Sequence, residues 1–164
     1  MFCQNLIRYF TMNEDWNCLG AESKDPYSQI CIEAVNDDSV FNKFKSDPRY
    51  TAILEHVSVE QGKLYAQDIL DYDIDIDLIN SFKDNDIVGG SKTFNYGEPF
   101  GRISPSTLRY IQNALDISYF YGEGELNKIV EIGGGYGGLC KTINCLCDFG
   151  EYHIYDMEAA SKLQ

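Results

Sequence analysis

A glycine-dense segment of the chain combines the residue types and the spacing of a ligand-binding turn. Gly133, Gly135 and Gly138 fit the pattern G-x-G-x-x-G, and the largely apolar residues 129–132 precede them. Because glycine lacks a Cβ atom, such a turn bends tightly and brings backbone N–H groups close to a ligand. A helical pattern over about 136–148 follows, so the segment predicts a strand, a cofactor-binding turn and a helix in succession.

Two cofactor templates fit the same glycines. The first is the dinucleotide fingerprint of a Rossmann unit. The second is the pattern E-x-G-x-G-x-G over residues 131–137, which is typical of methyltransferases that use S-adenosyl-L-methionine. Both cofactors contain ribose, and Asp156 ends a second predicted strand, 152–156, where an acid accepts hydrogen bonds from ribose hydroxyls.

Charge distinguishes the two templates. A dinucleotide brings a pyrophosphate, which an acidic side chain repels, whereas adenosylmethionine carries a sulfonium and an ammonium group and no phosphate. Glu131 therefore favours adenosylmethionine, and Tyr136 places a bulky ring where phosphate-binding turns prefer small residues. NAD(P) remains the alternative cofactor. The predicted cofactor-binding residues are Glu131, Gly133, Gly134, Gly135, Tyr136, Gly137 and Asp156.

Composition excludes several classes of partner. The chain has 164 residues, 44% of them hydrophobic, and a formal net charge of −13. This acidity disfavours nucleic acid and anionic membrane surfaces, which attract clustered Lys and Arg. No apolar run reaches the roughly 20 residues of a membrane span, and the N-terminus lacks the pattern of a signal peptide. We expect a cytoplasmic location by default.

Neither the cysteines nor the aspartates form a metal-binding motif. None of the six cysteines forms a C-x-x-C pair, which favours buried free thiols in a reduced compartment. The alternating aspartates from Asp73 do not fit a calcium loop, because Leu78 and Asp84 occupy the positions that require Gly and Glu. We interpret this segment as an acidic surface stretch that caps a short helix through Ile79 and Phe82.

Capping signals place the helices upstream of the turn. Residues 1–36 show only turn signals, at 13–17 and 24–27. A helix is predicted to begin at Asp37 or Asp38 and to end before Pro48.

A second helix is predicted to begin with Asp47 and Pro48. The apolar residues of this helix that fall at helical spacing are Tyr50, Ile53, Leu54 and Val57. A long Gly- and Pro-rich loop is predicted at 88–103.

A further helix is predicted to begin with Ser104 as N-cap and Pro105 as its first residue, and to end at Gly122 or Gly124. Gly150 is predicted to stop the helix that follows the glycine turn. Together these elements predict an α/β fold. Residues 1–103 form a mainly helical leader, and residues 104–164 form the first βαβ of a Rossmann-like domain that is expected to be incomplete.

Residues from about 95 to 164 resemble a family of sugar O-methyltransferases. The motifs that carry the resemblance are Gly97-Glu-Pro, Ser104-Pro-Ser-Thr-Leu-Arg-Tyr110, Val130-Glu-Ile-Gly-Gly-Gly-Tyr-Gly-Gly138 and Tyr155-Asp156. The resemblance implies a class I methyltransferase fold that transfers a methyl group from adenosylmethionine to a sugar hydroxyl. It also implies that Glu131 and the glycines line the methionine side of the cofactor and that Asp156 holds the ribose.

Other roles stay open at this point. Arg109 and Tyr110 precede the glycine turn, and we interpret them first as a helix-surface residue and a core ring. His56, on a predicted helix, and His153, in a strand, are interpreted as structural. The acceptor pocket and the general base are expected from later strands, so no catalytic residue is assigned and little catalysis is expected of this chain alone. The rival hypotheses are an NAD(P)-dependent oxidoreductase and a non-enzymatic association module, and the oligomeric state is open.

Overall fold

The computed structural model describes residues 6–11, 25–121 and 126–164 as a mixed α/β structure, mostly helical, with two small sheets. The helices are α1 (Pro26–Asn36), α2 (Asp38–Phe41), α3 (Pro48–Thr51), α4 (Val59–Leu70), α5 (Ile76–Phe82), α6 (Asp84–Ile87), α7 (Pro105–Tyr121), α8 (Gly138–Leu146) and α9 (Glu158–Leu163). The strands are β1 (Leu6–Thr11), β2 (Phe94–Asn95), β3 (Arg102–Ile103), β4 (Leu126–Ile132) and β5 (Phe149–Asp156).

The larger sheet has the order β1-β5-β4, and both of its strand pairs are parallel. Ile154 of β5 pairs with Glu131 of β4 on one side and with Tyr9 of β1 on the other. Helix α8 makes the crossover between β4 and β5. Because parallel strands end at the same edge of a sheet, the glycine turn after β4 and Asp156 at the end of β5 lie together.

Helices cover one face of this sheet and fill the space beside it. Among the described residues, three apolar clusters form the core: one between α1 and α9, one between α4, α5 and α7, and one where α7 and α8 meet β5. On the other face of β4, the side chains of Val130 and Ile132 are 55% and 84% exposed. No helix in the described part of the chain is long and apolar enough to cross a membrane.

The predicted start of α7 is confirmed. Ser104 Oγ accepts a hydrogen bond from the backbone N–H of Thr107 at 3.0 Å, and Pro105 is the first helical residue. Asp86 reinforces this cap from α6, since its carboxylate accepts from Ser104 N at 2.9 Å and from Thr107 Oγ1 at 2.7 Å. The cap therefore fixes the start of α7 against α6.

The prediction for the acidic segment is also confirmed. Asp75 caps α5 by accepting from Asp77 N at 2.9 Å, and Ile79 and Phe82 are buried. An acid at a helix N-cap satisfies a backbone donor that has no partner within the helix. The remaining aspartates of this segment, Asp71, Asp73 and Asp77, are exposed, as an acidic surface stretch requires.

Several predicted element limits are wrong. The helix predicted before Pro48 is the four-residue α2 followed by a 3₁₀ turn, Phe44–Ser46. Helix α3 ends at Thr51, so Val57 is not helical, and Ile53 is 52% exposed. Leu54 instead packs against the glycine turn, a tertiary contact that overrides the helical spacing.

Gly150 and the long loop also differ from expectation. Helix α8 ends at Leu146, and Gly150 lies inside β5, where a Cβ atom would come within 2.6 Å of the carbonyl oxygen of Asn127. This glycine therefore permits a close approach of two strands instead of ending a helix. The loop at 88–103 contains the β2–β3 hairpin. The predicted turn at 13–17 and the predicted helix ends Gly122 and Gly124 lie outside the described residues.

The cap of α7 gives a test of the fold. Ser104→Ala should lower the free energy of unfolding by about 1–2 kcal/mol, because the buried N–H of Thr107 loses its acceptor. Urea denaturation measures the change. Asn113→Ala, at an exposed position of the same helix, is the control and should stay within about 0.5 kcal/mol of the wild type. Equal effects of the two variants would contradict a capping role for Ser104.

Candidate functional site

The glycine turn needs left-handed backbone at three positions. Gly133, Gly135 and Gly137 have φ angles of +76°, +58° and +86°. Gly137 is the N-cap of α8, and its N–H donates to the carbonyl oxygen of Gly134 at 2.9 Å. Residues other than glycine pay a conformational cost in this region, so the spacing of these three glycines follows from the path of the chain.

Neighbouring side chains leave no room for a Cβ atom at three positions of the turn. A Cβ atom would lie 2.6 Å from Ile154 at Gly134, 2.5 Å from Leu54 at Gly135 and 2.7 Å from Tyr110 at Gly138, in each case to a side-chain carbon. At Gly133 nothing lies within 4 Å of that position. The surface of the turn that is open to a ligand is therefore the part around Gly133, while Gly135 lies beneath Leu54.

Asp156 fastens the turn to the end of β5. Its Oδ2 accepts from Gly135 N at 2.7 Å, and its Oδ1 accepts from Met157 N at 2.7 Å. Burial raises the pKa of this carboxyl, and the two backbone donors oppose the shift. The sequence-predicted ribose ligand thus holds the backbone of the turn, with one lone pair left on each oxygen for a further donor.

Glu131 lies directly beneath the turn. Tyr152 Oη donates to its Oε2 at 2.9 Å, and its carboxylate is a close neighbour of Gly134. Burial raises the pKa of Glu131, the Tyr152 hydroxyl lowers it, and the charge of Asp156 raises it again. No lysine or arginine of the described residues contributes to the pKa of either carboxyl. The turn therefore has two acids and no cation of its own.

Tyr136 connects the turn to the N-terminal helices. Lys45 Nζ lies 3.5 Å from the centroid of its ring, and the rings of Phe44 and Tyr110 are each 6.3 Å from it, centroid to centroid. The Tyr136 hydroxyl is buried and has no hydrogen-bond partner among the described residues. Tyr136, whose bulk is unfavourable for a phosphate-binding turn, therefore packs against these neighbours and closes one side of the turn.

Lys45 is a functional candidate that the sequence analysis missed. It is only 1% exposed, and its Nζ donates to the carbonyl oxygen of Asn85 at 2.6 Å. Burial lowers the pKa of Lys45 to about 8, although the charges of Glu55 and Asp86 oppose the shift. A single lysine in a helical pattern gives no signal of burial, so only the fold identifies it.

A cavity of about 510 Å³ opens beside Lys45. Its polar and charged lining includes Lys45, Ser46, Thr51, Glu55, His56, Ser58, Lys92 and Ser106. Burial raises the pKa of Glu55, and the charge of Lys45 and a hydrogen bond with Ser106 lower it. The cavity and the glycine turn share a wall, because Leu54 contacts Gly135 while Glu55 lines the cavity. None of the residues that line it belongs to the glycine turn.

The remaining candidate residues occupy ordinary structural positions. Tyr110 is buried, and the guanidinium of Arg109 lies 5.5 Å from the centroid of its ring. His153 is buried in β5, with Nε2 2.7 Å from Glu151 Oε2. His56 is exposed between α3 and α4, so its predicted helical position is wrong, and it lines the cavity.

The free thiols match the sequence prediction in part. Cys31 and Cys140 are buried, and burial raises their pKa to about 11 and about 12. Cys145 is exposed, contrary to expectation, because it lies on the outer side of α8. Within the described parts of the chain, no three side chains of the metal-ligating types form a cluster.

Comparison of the chain with family models, curated proteins and solved structures gives no match.

Two alanine substitutions separate backbone conformation from packing in the turn. Gly133→Ala should lower the free energy of unfolding by about 1–2 kcal/mol, because its positive φ is unfavourable for alanine. Gly135→Ala should cost about 1–3 kcal/mol more, since its methyl group would also overlap Leu54. Urea denaturation gives both values. Adding Leu54→Ala to each variant should reduce their difference, and equal costs of the two alanines would contradict the proposed contact.

Burial of Lys45 predicts a pH-dependent stability. Above pH 8 the folded protein releases the Lys45 proton, whereas the unfolded chain holds it up to the ordinary pKa of 10.5. Stability therefore rises with pH in this window. Relative to Lys45→Met, the wild type should gain about 2 kcal/mol between roughly pH 7.5 and 9.5, measured by urea denaturation.

An exposed lysine supplies the control for that experiment. Lys63→Met on α4 should leave the pH dependence of the wild type unchanged. Titration of the buried tyrosines and thiols affects every variant alike and cancels in the comparison. Parallel stability curves for the wild type and Lys45→Met would show that Lys45 does not titrate in this window.

Proposed function

We propose that the protein is an S-adenosyl-L-methionine-dependent O-methyltransferase that acts on a sugar hydroxyl, with the β4–α8–β5 unit as the Rossmann-like part of its cofactor site. The observation that carries the proposal is the pair of partly buried carboxylates, Glu131 and Asp156, at one glycine turn, with no basic side chain among the described residues to balance them. Support also comes from the parallel pairing of β4 with β5, which brings these two acids together.

The electrostatics of the turn favour a cationic ligand. A carboxylate removed from water is stabilised by a nearby positive charge, and no lysine or arginine of the described residues contributes to the pKa of either acid. Adenosylmethionine brings two positive centres, a sulfonium and an ammonium. A dinucleotide brings two negative phosphates, which the same carboxylates would repel. The geometry thus favours the methyl donor over NAD(P).

The part of the turn around Gly133 has room for the methyl donor. Around Gly133 the turn has open space, and the N–H of Gly133 is occupied by the carbonyl oxygen of Tyr155 at 2.8 Å. Cofactor recognition would therefore use the carboxylates of Glu131 and Asp156 more than the backbone donors of the turn. When bound, the cofactor supplies an electrophilic methyl group. The role of this chain's residues is to hold its charged groups and to exclude water around them.

Calorimetry with each cofactor tests the proposal. Adenosylmethionine should bind the protein more tightly than NAD does. Glu131→Gln should weaken adenosylmethionine binding about tenfold, because one charge-assisted interaction of about 1.4 kcal/mol is lost. Glutamine keeps an acceptor for the Tyr152 hydroxyl, so this substitution removes charge with little change in packing.

A surface acid provides the matched control. Glu60→Gln lies at an exposed position of α4 and should leave the affinity for adenosylmethionine unchanged. Tighter binding of NAD than of adenosylmethionine would overturn the proposal in favour of an oxidoreductase. Equal affinities of the wild type and Glu131→Gln would remove the observation on which the proposal depends.

A further inference from the structure

Segments that are far apart in the chain form the cavity beside Lys45. They are the 3₁₀ turn at Phe44–Ser46, the connection between α3 and α4, strand β2 with the residues before it, and the start of α7. The volume of about 510 Å³ lies within the range of about 300–1,000 Å³ that is usual for ligand pockets. A cavity built from so many segments has walls that the fold fixes in place.

Basic groups outnumber acidic groups in the described lining of this cavity. Lys45, Lys92 and His56 lie there with a single carboxyl, that of Glu55. With His56 counted as neutral, two ammonium groups and one carboxylate still leave an excess of positive charge. The whole chain has a formal net charge of −13, so the cavity departs from the acidic character of the protein. Its charge predicts an anionic ligand.

The two lysines hold their ammonium groups at different parts of the wall. Lys45 is 1% exposed, and its Nζ donates to the Asn85 carbonyl and lies 3.5 Å from the centroid of the Tyr136 ring. An ammonium group has three N–H donors, and Asn85 takes one of them. Lys92 Nζ lies 5.3 Å from the centroid of the Phe94 ring, and both residues line the cavity. The positive charges therefore flank the space that a ligand would occupy.

The carboxyl of Glu55 reduces this positive charge without cancelling it. Burial raises the pKa of Glu55, although the charge of Lys45 and a hydrogen bond with Ser106 oppose the shift. A carboxyl of this kind readily takes up a proton beside an anion and can then donate a hydrogen bond. Asp86 and Arg109, which lie outside the lining, act on the pKa of Glu55 in opposite directions. The excess of basic groups thus determines the sign of the ligand.

Helix α4 begins at the cavity and adds hydrogen-bond donors. Its N-cap Ser58 and its first residue Val59 both line the cavity. The first N–H groups of an α-helix have no acceptor within the helix and form the positive end of its dipole. Ser58 Oγ accepts from Gln61 N at 3.1 Å, which leaves its O–H to donate. Lysines together with a helix N-terminus commonly bind phosphate, whereas planar carboxylates favour arginine, which is absent from the described lining.

The remaining walls are apolar and leave room beyond one phosphate group. Val57, Val59, Phe94 and Pro105 belong to them. A phosphate group fills a small part of a cavity of about 510 Å³, so the rest of the ligand is expected to be apolar or aromatic. The net charge of −13 disfavours a polyanion but not a single phosphate, because charges beyond about 8 Å are largely screened at physiological ionic strength.

We propose that this cavity binds a small organic phosphate monoester. Lys45, Lys92 and Ser58 hold the phosphate group, and Val57 and Phe94 contact the apolar part of the ligand. A phosphate monoester carries about 1.5–2 negative charges at pH 7, which the two ammonium groups and the start of α4 balance. This site goes beyond the proposed function and does not depend on it, because none of its residues belongs to the glycine turn.

Titration calorimetry with phenyl phosphate tests the inference. The wild type should bind phenyl phosphate, should bind benzoate more weakly, and should not bind benzyl alcohol, which has the same ring without a charge. Lys92→Met should weaken phenyl phosphate binding about tenfold by removing a charge-assisted interaction. Lys63→Met, on α4 and outside the lining, is the matched control and should keep the wild-type affinity. Both lysines are exposed, so neither substitution disturbs the core.

A substitution at Glu55 should have the opposite effect. Glu55→Gln keeps the shape of the side chain and removes a negative charge beside the phosphate. It should therefore tighten phenyl phosphate binding about threefold. A substitution that only damaged the wall would weaken binding, so the sign of the change separates the electrostatic effect from a structural one.

The possible outcomes separate this site from the proposed function. Absence of phenyl phosphate binding, equal affinities of Lys92→Met and Lys63→Met, or weaker binding by Glu55→Gln would overturn the anion site. Benzoate binding as tight as that of phenyl phosphate would overturn the assignment of a phosphate group. Phenyl phosphate binding by a wild type that does not bind adenosylmethionine would support the cavity and overturn the proposed function.

Discussion

The absence of Cβ atoms from the glycine turn is the constraint on which the structure of this protein depends. Side chains of Ile154, Leu54 and Tyr110 occupy the volumes that side chains at 134, 135 and 138 would need. The sheet, the N-terminal helices and α7 therefore converge on one short segment of backbone. Asp156 then fixes that segment from β5 through the Gly135 N–H. A single turn thus serves as the meeting point of elements that are far apart in sequence.

The same convergence determines where charge is buried. Glu131 and Asp156 lie on the sheet side of the turn and have no basic partner in the described part of the chain, and Lys45 lies on the helical side against the ring of Tyr136. The acid-rich side is suited to a cationic ligand, whereas Lys45, Lys92 and Glu55 all line the cavity on the helical side. Tyr136 lies between the two regions, so the protein has an acidic turn and a polar cavity as neighbours.

Local signals in the sequence predicted those elements whose limits depend on capping. Ser104 and Asp75 each satisfy a backbone donor at a helix start; Ser104 was predicted as a cap by residue type, and for Asp75 the prediction named only the acidic segment that contains it. Prediction failed where packing overrides local preference. Helix α3 ends early and Leu54 turns toward Gly135, while Gly150 serves a close approach of strands instead of a helix end. Helical spacing and glycine content do not reveal such contacts, because the partner is distant in the chain.

The sequence by itself determined the strand, the glycine turn and the helix that follows, together with the acids at both ends of the turn. Residue type fixes the turn, since glycine adopts positive φ angles at little cost. The places of Glu131 and Asp156 in the sequence put these acids at the two predicted strands. The tertiary structure decided which surface of the turn is open, that β1 pairs with β5, and that Lys45, Glu55 and Ser106 line one cavity. Those features depend on contacts between segments dozens of residues apart, which no local pattern records.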